Sequence, residues 1–581
     1  MDRPVLALDR AFTYLLDDSL GAGMGSLVQV PFHGRLTRGW VLGPTDDVPP
    51  RMANVRKVVS PVRFFDGRLL ALFRWMSERY VAPLATIIGR ASPPRVAGEE
   101  RDRPPAAPPP EASPGLPAGA VLERYRGAGP LVAGLSGGAG AFVVRPAPED
   151  EQALAVEAVG LAVAGTRSAI VVVPEAEPLP ATAAAVAEAF GDLVALYVGG
   201  SQRGRYRMWL DIAEGRFRVV VGTRPAVFAP VPHLGLVWIS RESHPGHREE
   251  RSPAYHVRDV AVARAGLDGA VCVMAALCPS GEAVATGAPE VAPSGRAWPP
   301  VEVVRPGPEG RAPRLVGAVK GARRGFLYQP LPGYGVARVC RSCGEPARCA
   351  SCGGTIRLEA GETRCVVCEA PGRCASCGGR VFGIARGGVE RVEEWAARVA
   401  SVPVRRGTGG ADPWAGIVVG GPEAVKDVPP PGLDLVGILD ADLAARRPGL
   451  AAAERSLALW MEAAGWARPT GRVIVQSSRP NDAAVQALVA GNPGRFHRAD
   501  LPRRERAGFP VGHPVFRVAG SAELEDHLRA LDPVTLLASG AEGQTVCLVT
   551  VRPQGLAAFG RAVRDLAGRG IVARVEAEPH L

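Results

Sequence analysis

No stretch of this 581-residue chain approaches the roughly 18 uninterrupted apolar residues of a membrane-spanning helix. The opening Met1-Asp2-Arg3-Pro4 lacks the basic-then-apolar order of a secretory signal. Membrane-embedded and exported classes are therefore set aside, and a cytoplasmic location with no membrane partner is expected. Cysteine is sparse outside a single cluster. Cys272, Cys278 and Cys547 stand alone, too scattered for a disulfide framework, and read as small buried apolar groups. Acidic residues are outnumbered, 58 Asp plus Glu against 68 Lys plus Arg, for a formal net charge of +10. That balance favours nucleic acid as partner without naming which. Hydrophobic content of 47% is ample for buried cores, and the length suits roughly three to five domains. The high Gly and Pro counts, 71 and 55, accompany abundant Ala and Arg and reflect GC-rich coding more than disorder.

The remaining eight cysteines fall within 38 residues as four C-x-x-C pairs: Cys340/Cys343, Cys349/Cys352, Cys365/Cys368 and Cys374/Cys377. Each pair is a thiolate knuckle, and eight thiolates make two Cys₄ zinc sites. Four thiolates per ion leave no position for water, so the two Zn²⁺ are structural rather than catalytic. Thr355–Leu358 and Glu362–Arg364, joined at Ala360-Gly361, read as a hairpin. It brings Cys349, Cys352, Cys365 and Cys368 to one ion and leaves Cys340, Cys343, Cys374 and Cys377 for the other. Sequential pairing is the alternative. Gly344, Gly353 and Gly378 follow knuckles where positive φ is needed. Arg341, Arg348, Arg357, Arg364, Arg373 and Arg380 would present positive charge to phosphates or to an acidic partner.

Residues 1–92 read as a small N-terminal domain, with strands at Val5–Leu8, Leu27–Pro31 and Gly39–Leu42 and a helix over Leu69–Tyr80. Residues 93–118 form a Pro-rich linker, extended and unpacked. Residues 119–299 alternate strands (Ala169–Val173, Arg218–Val221, Leu234–Ile239, Ala270–Ala275) with helices (Ala181–Phe190, Ala254–Ala265), the pattern of a mainly parallel α/β sheet. Residues 300–495 repeat the theme, with strands at Ile417–Gly420, Leu435–Leu439 and Arg472–Gln476, a helix at Ala451–Ala464, and the cysteine module 338–380 inserted. Residues 496–581 form a small α+β domain, with strands at Thr545–Val551 and Ile571–Ala577 around a helix at Leu556–Gly568.

The cysteine array resembles that of the primosomal protein N′ family of replication-restart helicases, with a shorter gap between Cys368 and Cys374. Other segments match in order. They are Phe12-Thr13-Tyr14, Val30-Pro31-Phe32, Gly222–Pro230 (Gly-Thr-Arg-Pro-Ala-Val-Phe-Ala-Pro), Tyr255–Asp259 and Gly387–Arg391. The resemblance implies two RecA-like helicase lobes and a nested two-zinc module in the second. It also implies an N-terminal domain that grips the 3′ end of the nascent leading strand, with Phe12 and Lys57 in that pocket. Here Thr13 replaces the family's acidic residue, and His33 stands where Gly is usual. The family's winged-helix domain has no room in the Pro-rich linker.

The motor motifs depart further. Gly134-Leu135-Ser136-Gly137-Gly138-Ala139-Gly140-Ala141 matches the phosphate-binding loop in Gly134, Gly137 and Gly140, but the Lys and hydroxyl positions hold Gly140 and Ala141. The Asp-Glu-Glu-His box reads Ser240-Arg241-Glu242-Ser243, and the coupling motif reads Ala276-Leu277-Cys278-Pro279. The late arginine motif places Trp466 at its first arginine. The expectation is a restart protein that binds abandoned forks and single-stranded DNA and carries two Zn²⁺. By resemblance it meets single-stranded-DNA-binding protein and primosomal helicase-loading proteins near the nucleoid. It acts as a monomer without ATPase or helicase activity. The alternatives are a divergent 3′→5′ helicase in which Lys320, Lys426 or an arginine replaces the lost groups, and a zinc-ribbon interaction protein acting away from DNA.

Overall fold

The computed structural model describes every residue except 1–4, 102, 104–120, 296–297, 308–309, 331–336, 344, 346, 355, 360–361, 366–367, 387, 408–412, 443–448, 533, 543 and 580–581. Most of the Pro-rich stretch, Gly344 and the Ala360-Gly361 turn thus lie outside the described residues. Two compact units divide the chain: Met1–Arg296 with His497–Leu581, and Ala297–Phe496.

In the first unit, strand Ser26–Phe32 is flanked by antiparallel strands Arg35–Trp40 and Lys57–Arg63. Strand Ser26–Phe32 turns into Arg35–Trp40 through His33-Gly34, both at positive φ (48° and 75°), as a two-residue hairpin requires. Helix Gly67–Arg79 is capped by Asp66, whose carboxylate accepts from Leu69 N at 2.9 Å, and it buries Leu69, Leu72, Phe73 and Met76. The Val5–Leu8 segment is not a strand. Leu6–Leu8 winds as a short 3-10 turn, because Asp9 is claimed by Leu84 N and Arg564, which fixes the entry to that turn away from the sheet.

An eight-stranded sheet follows in the same unit. Its order is Tyr125–Arg126, Glu290–Pro293, Gly140–Val144, Val271–Ala275, Leu234–Ile239, Ser168–Val172, Val219–Gly222 and Val194–Tyr197. Every pairing is parallel except that of Tyr125–Arg126. Its central strands are buried on both faces, which is why they read as continuous apolar runs. A four-stranded antiparallel sheet (Val534–Glu542, Gln544–Val551, Val515–Gly520, Val572–Ala577) and helix Leu556–Gly568 complete the unit. Phe73, Val237 and Phe516 belong to one apolar core shared by the three sequence regions of this unit, beside a second cluster around the eight-stranded sheet and a small one in the N-terminal strands.

The head of the Pro-rich stretch is packed, against expectation. Glu99 accepts from Arg203 and Arg207, and Glu100 from Arg95 and Tyr206. Arg103 pairs with Asp211 and Glu214 at 2.6 and 2.8 Å. Hydrogen bonds from Arg207 and Arg203 hold the Glu99 carboxyl down at about 2. Composition alone hides this, because the ordering comes from arginines on helix Gln202–Ala213, about a hundred residues away.

The second unit is built on a six-stranded, all-parallel sheet in the order Val301–Val304, Ala467–Gln476, Leu433–Ile438, Arg324–Tyr328, Gly416–Gly420 and Val404–Arg406. The cysteine segment lies in the connection that leaves strand Arg324–Tyr328 and, by way of helix Val389–Val399, reaches the edge strand Val404–Arg406. Its ends are held by strand Ala337–Cys340 paired antiparallel with Phe382–Arg386, and its inner hairpin pairs Ile356–Glu359 with Glu362–Cys365.

Candidate functional site: a filled motor edge, a cysteine module and an aromatic hairpin tip

In parallel α/β sheets ligands are handled at the carboxyl ends of the strands. Strand Gly140–Val144 enters that edge through Arg145-Pro146-Ala147-Pro148-Glu149-Asp150, which leads into helix Glu151–Ala164. This loop occupies the strand-to-helix position of a phosphate-binding loop. The Gly134–Ala141 match is therefore displaced. Gly134 ends helix Ala128–Leu135, Gly137 lies in a turn, and Gly140 opens the strand with its N–H on Ala270 O, all at the amino end of the sheet. The glycine spacing imitates the motif, but the order is helix–turn–strand, the reverse of what phosphate binding needs.

The loop in the right place has no glycine and no lysine. Pro146 and Pro148 remove two N–H donors. Asp150 accepts from Tyr125 at 2.8 Å and Arg124 at 2.7 Å, and Ala147 N donates to Tyr125 Oη at 2.7 Å. The buried Glu151 carboxylate accepts from Ser240 Oγ at 2.8 Å. Where a phosphate would meet backbone N–H groups, this edge offers carboxylates already engaged with the chain itself.

The next strand along tells the same story. Glu242, fully buried, accepts from Arg258 at 2.7 Å and from both Ser280 Oγ and Ser280 N, at 2.7 and 3.0 Å. Arg258 also reaches Asp259 at 3.0 Å. Asp259 lies 3.5 Å from Arg79, which pairs with Glu578 at 3.0 Å. Burial opposes charge on Arg258, but Asp259 and Glu242 outweigh it and keep the guanidinium charged. Asp259 is likewise held below its ordinary range by Arg258 and Arg79 despite its burial. Burial pushes Glu578 up. One ionic chain thus runs from the motif-bearing edge to the N-terminal helix and the C-terminal sheet. In the sequence, Tyr255–Asp259 stands out only by its resemblance to the family segment. An Arg-Asp pair one helix after an isolated Glu242 was the available signal for this network.

Arg241 sits at positive φ (51°), almost fully buried and 4.0 Å from Glu175, with no route to a base role. His247 is buried, with Nε2 2.7 Å from Ser240 O, and burial drives its pKa down to about 3; His256 is pushed well below its usual value for the same reason. In the unfolded chain both take a proton near about 6.5, whereas the folded protein refuses it. Stability therefore falls as pH drops from about 6.5 toward 3, by up to about 1.4 kcal/mol per pH unit for each ring. The urea midpoint is expected to fall between pH 7 and pH 5, and His247→Gln, which keeps a donor for Ser240 O, to lessen that fall.

In the second unit, the first arginine position of the late motif is a core aromatic. Trp466 is buried, its ring 5.0 Å from Phe326 and 4.7 Å from Trp414. Trp466→Arg is expected to cost about 3 kcal/mol in unfolding free energy and to confer no ATP hydrolysis, since the new charge would enter an aromatic cluster. Lys320 is exposed at the end of helix Pro313–Gly321.

The cysteines assemble into two sets: Cys340, Cys343, Cys374 and Cys377, and Cys349, Cys352, Cys365 and Cys368, with all sulfurs of a set within 4.8 Å of one another. Between-pair Sγ distances are 3.5 Å (Cys340–Cys377), 3.7 Å (Cys343–Cys374), 3.7 Å (Cys349–Cys368) and 3.4 Å (Cys352–Cys365). A tetrahedral ion with metal–sulfur bonds of about 2.3 Å sets sulfurs about 3.8 Å apart, so each set fits zinc. Backbone N–H groups of Cys343 and Ser342 hold the Cys340 thiol near 6, and those of Ser351 and Cys352 do the same for Cys349. Their pair partners Cys343 and Cys352 are pushed up to about 12 by the sulfurs they face, so the geometry favours a thiolate at the first cysteine of these two pairs. The grouping is nested, not sequential. Arg341, Arg348, Arg364 and Arg373 are exposed around it, while the side chain of Arg357 lies outside the described residues.

Phe12 packs edge-on against Phe32, ring centroids 5.2 Å apart, at the end of strand Ser26–Phe32. Tyr14 Oη donates to Pro31 O at 3.0 Å. Lys57 is exposed and pairs in register with Gln29, three residues back along that strand, roughly 10 Å from the Phe32 end. Phe12, outside the strands, and Lys57, in the strand Lys57–Arg63, thus lie against the same sheet at separate places.

These features define a multidomain α/β protein built on an eight-stranded and a six-stranded, mainly parallel sheet, its second unit carrying two four-thiol centres. The family model for the PriA 3′ DNA-binding domain (3′BD) matches residues 2–93. The probable replication restart protein PriA of Mycobacterium tuberculosis (strain CDC 1551 / Oshkosh) is 30% identical, over 96% of this chain and 92% of its own length. That of Mycobacterium leprae is 31% identical over 91% and 90%, and the replication restart protein PriA of Treponema pallidum 28% over 87% and 83%. The chain belongs to the PriA family of replication restart proteins. Among the described residues no helix is long and apolar enough to cross a membrane.

Proposed function

We propose that the chain is a DNA-binding replication restart protein that works as a scaffold and not as a motor. It recognises abandoned forks and adjacent single strands, with Phe12 and Lys57 in the N-terminal contact. It holds two Zn²⁺ on its eight clustered cysteines and helps primosomal proteins reload the replicative helicase without hydrolysing ATP. Single-stranded-DNA-binding protein and helicase-loading proteins are its proposed partners, and the cytoplasm its compartment. The division 1–92, 119–299, 300–495 and 496–581 is proposed as the order of its functional parts. The observation that carries the reading is the contrast between two complete thiolate sets and a motor edge filled by Glu151–Ser240 and Glu242–Arg258. Phosphoryl transfer depends on placed cations and backbone donors, so loss of the loop glycines, the lysine and the metal carboxylate removes the means of catalysis.

Binding to a labelled fork and to duplex of equal length, followed across salt concentrations, tests the DNA-binding part. A fork preference with a steep salt dependence is expected. Equal binding to fork and duplex at every salt concentration would favour a zinc-ribbon protein acting away from forks.

A further inference from the structure

We propose that the head of the Pro-rich stretch is a strap that holds single-stranded DNA off helix Gln202–Ala213, with Glu99 standing on Arg203 and Arg207 where a backbone phosphate would bind. The proposal rests on the DNA-binding role proposed above. The contact is asymmetric. The Glu99 side chain is 5% exposed, whereas those of Arg203 and Arg207 are 69% and 58% exposed. The carboxylate is covered and its two cations face solvent. Each arginine takes a different oxygen: Arg203 Nε donates to Oε1, and Arg207 Nε to Oε2 at 2.6 Å. Residues four apart lie on one face of a helix, so the pair forms a fork around a single oxyanion. A phosphodiester, like a carboxylate, offers two oxygens on one charge, and Arg pairs strongly with either.

The start of this helix carries no acid of its own, and Arg205, also exposed, lies between the pair in sequence. The surface in front is open. Gly199 and Gly200 turn into the helix at positive φ (59° and 81°), and an added Cβ at either would meet no atom within 4 Å.

The strap is seated independently of Glu99. Glu100 accepts from Arg95 at 2.5 and 2.6 Å and from Tyr206 Oη at 2.5 Å. Arg103 pairs with Asp211 and Glu214 at 2.6 and 2.8 Å, and Val96 packs against the apolar core. Glu99 can therefore lose its arginines without the strap losing its place. Pairs with exposed partners are weak, so a strand offering many phosphates in a row displaces one carboxylate where a single free phosphate does not.

The test uses the full chain and 5′-fluorescein-labelled oligothymidine, read by fluorescence anisotropy across salt concentrations. Glu99→Gln keeps the shape and removes the charge. It is expected to bind roughly threefold to tenfold tighter and to steepen the log–log salt slope by about 0.7 for each phosphate gained. Adding Arg203→Gln and Arg207→Gln should cancel both gains. Glu188→Gln, which removes the same charge from an exposed site on helix Ala181–Phe190, should leave binding as it is. In the parent protein, oligothymidine should speed amide exchange at Glu99, whose N–H donates to Val96 O at 2.9 Å, because a carboxylate deserted by both arginines must reach water. No gain in Glu99→Gln, a gain that survives loss of both arginines, or an equal gain in Glu188→Gln overturns the strap while DNA binding stands. Unchanged or slower exchange at Glu99 does the same. Labelled polyglutamate is the acidic-peptide control, and a gain for it as large as that for oligothymidine overturns the proposal in favour of a protein occupant. Failure of the parent and every variant to bind oligothymidine at low salt overturns the DNA-binding role as well.

Discussion

Replacing Glu242 by Ala is expected to lower the unfolding free energy of the first unit by about 3–5 kcal/mol. Glu242 holds the buried Arg258 guanidinium together with Asp259 and Ser280 Oγ, and it also accepts from the N–H and hydroxyl of Ser280. Deleting it strands a charge that burial makes costly and loosens the ionic chain through Asp259 to Arg79 and Glu578. The pair Glu242→Leu with Arg258→Met should recover most of the loss, because removing both charges spares the unpaired one. Urea unfolding of the single and double variants measures this. A midpoint that does not move in Glu242→Ala would contradict this structural role.

The cysteine module predicts an effect of different kind. Cys349→Ser with Cys352→Ser should reduce bound zinc from two equivalents to one and unfold the inner hairpin Ile356–Cys365, since a structural zinc supplies about 10–16 kcal/mol to the segment it closes. The six-stranded parallel sheet should survive, because its core of Leu315, Leu327, Ile417, Leu435 and Ile474 contains no zinc ligand. Metal analysis beside amide hydrogen exchange separates the two regions. Loss of both ions would mean that the two centres fold as one, and loss of protection throughout the sheet would mean that the crossover is integral to it.

Much of this was legible in the sequence, and the exceptions share a cause. Buried parallel strands and apolar-faced helices carry their signal locally, so strand Leu234–Ile239 and helices Ala181–Phe190 and Leu556–Gly568 fall where the sequence pattern places them. The nested cysteine grouping follows from a hairpin that the sequence spells out. What escaped depends on partners distant along the chain. Glu99 is ordered by Arg203 and Arg207, the Leu6–Leu8 turn by Asp9 held on Arg564, and Glu242 by Arg258 and Ser280. The displaced glycine loop is the most instructive case. Gly134, Gly137 and Gly140 have plausible spacing, but only the order of helix, turn and strand shows which end of the sheet they occupy. With the loop relocated to Arg145–Asp150, the departure from a phosphate-binding loop is larger than the motif comparison implied, since that position holds prolines and acids.

ATP hydrolysis by zinc-replete protein, measured with and without a saturating forked DNA that the same preparation binds, tests the central claim most directly. The account predicts tight, salt-sensitive fork binding and a phosphate release rate indistinguishable from that of a protein-free control. Fork-stimulated release that disappears on altering Lys320, Lys426 or Glu242 would contradict it and identify a divergent motor.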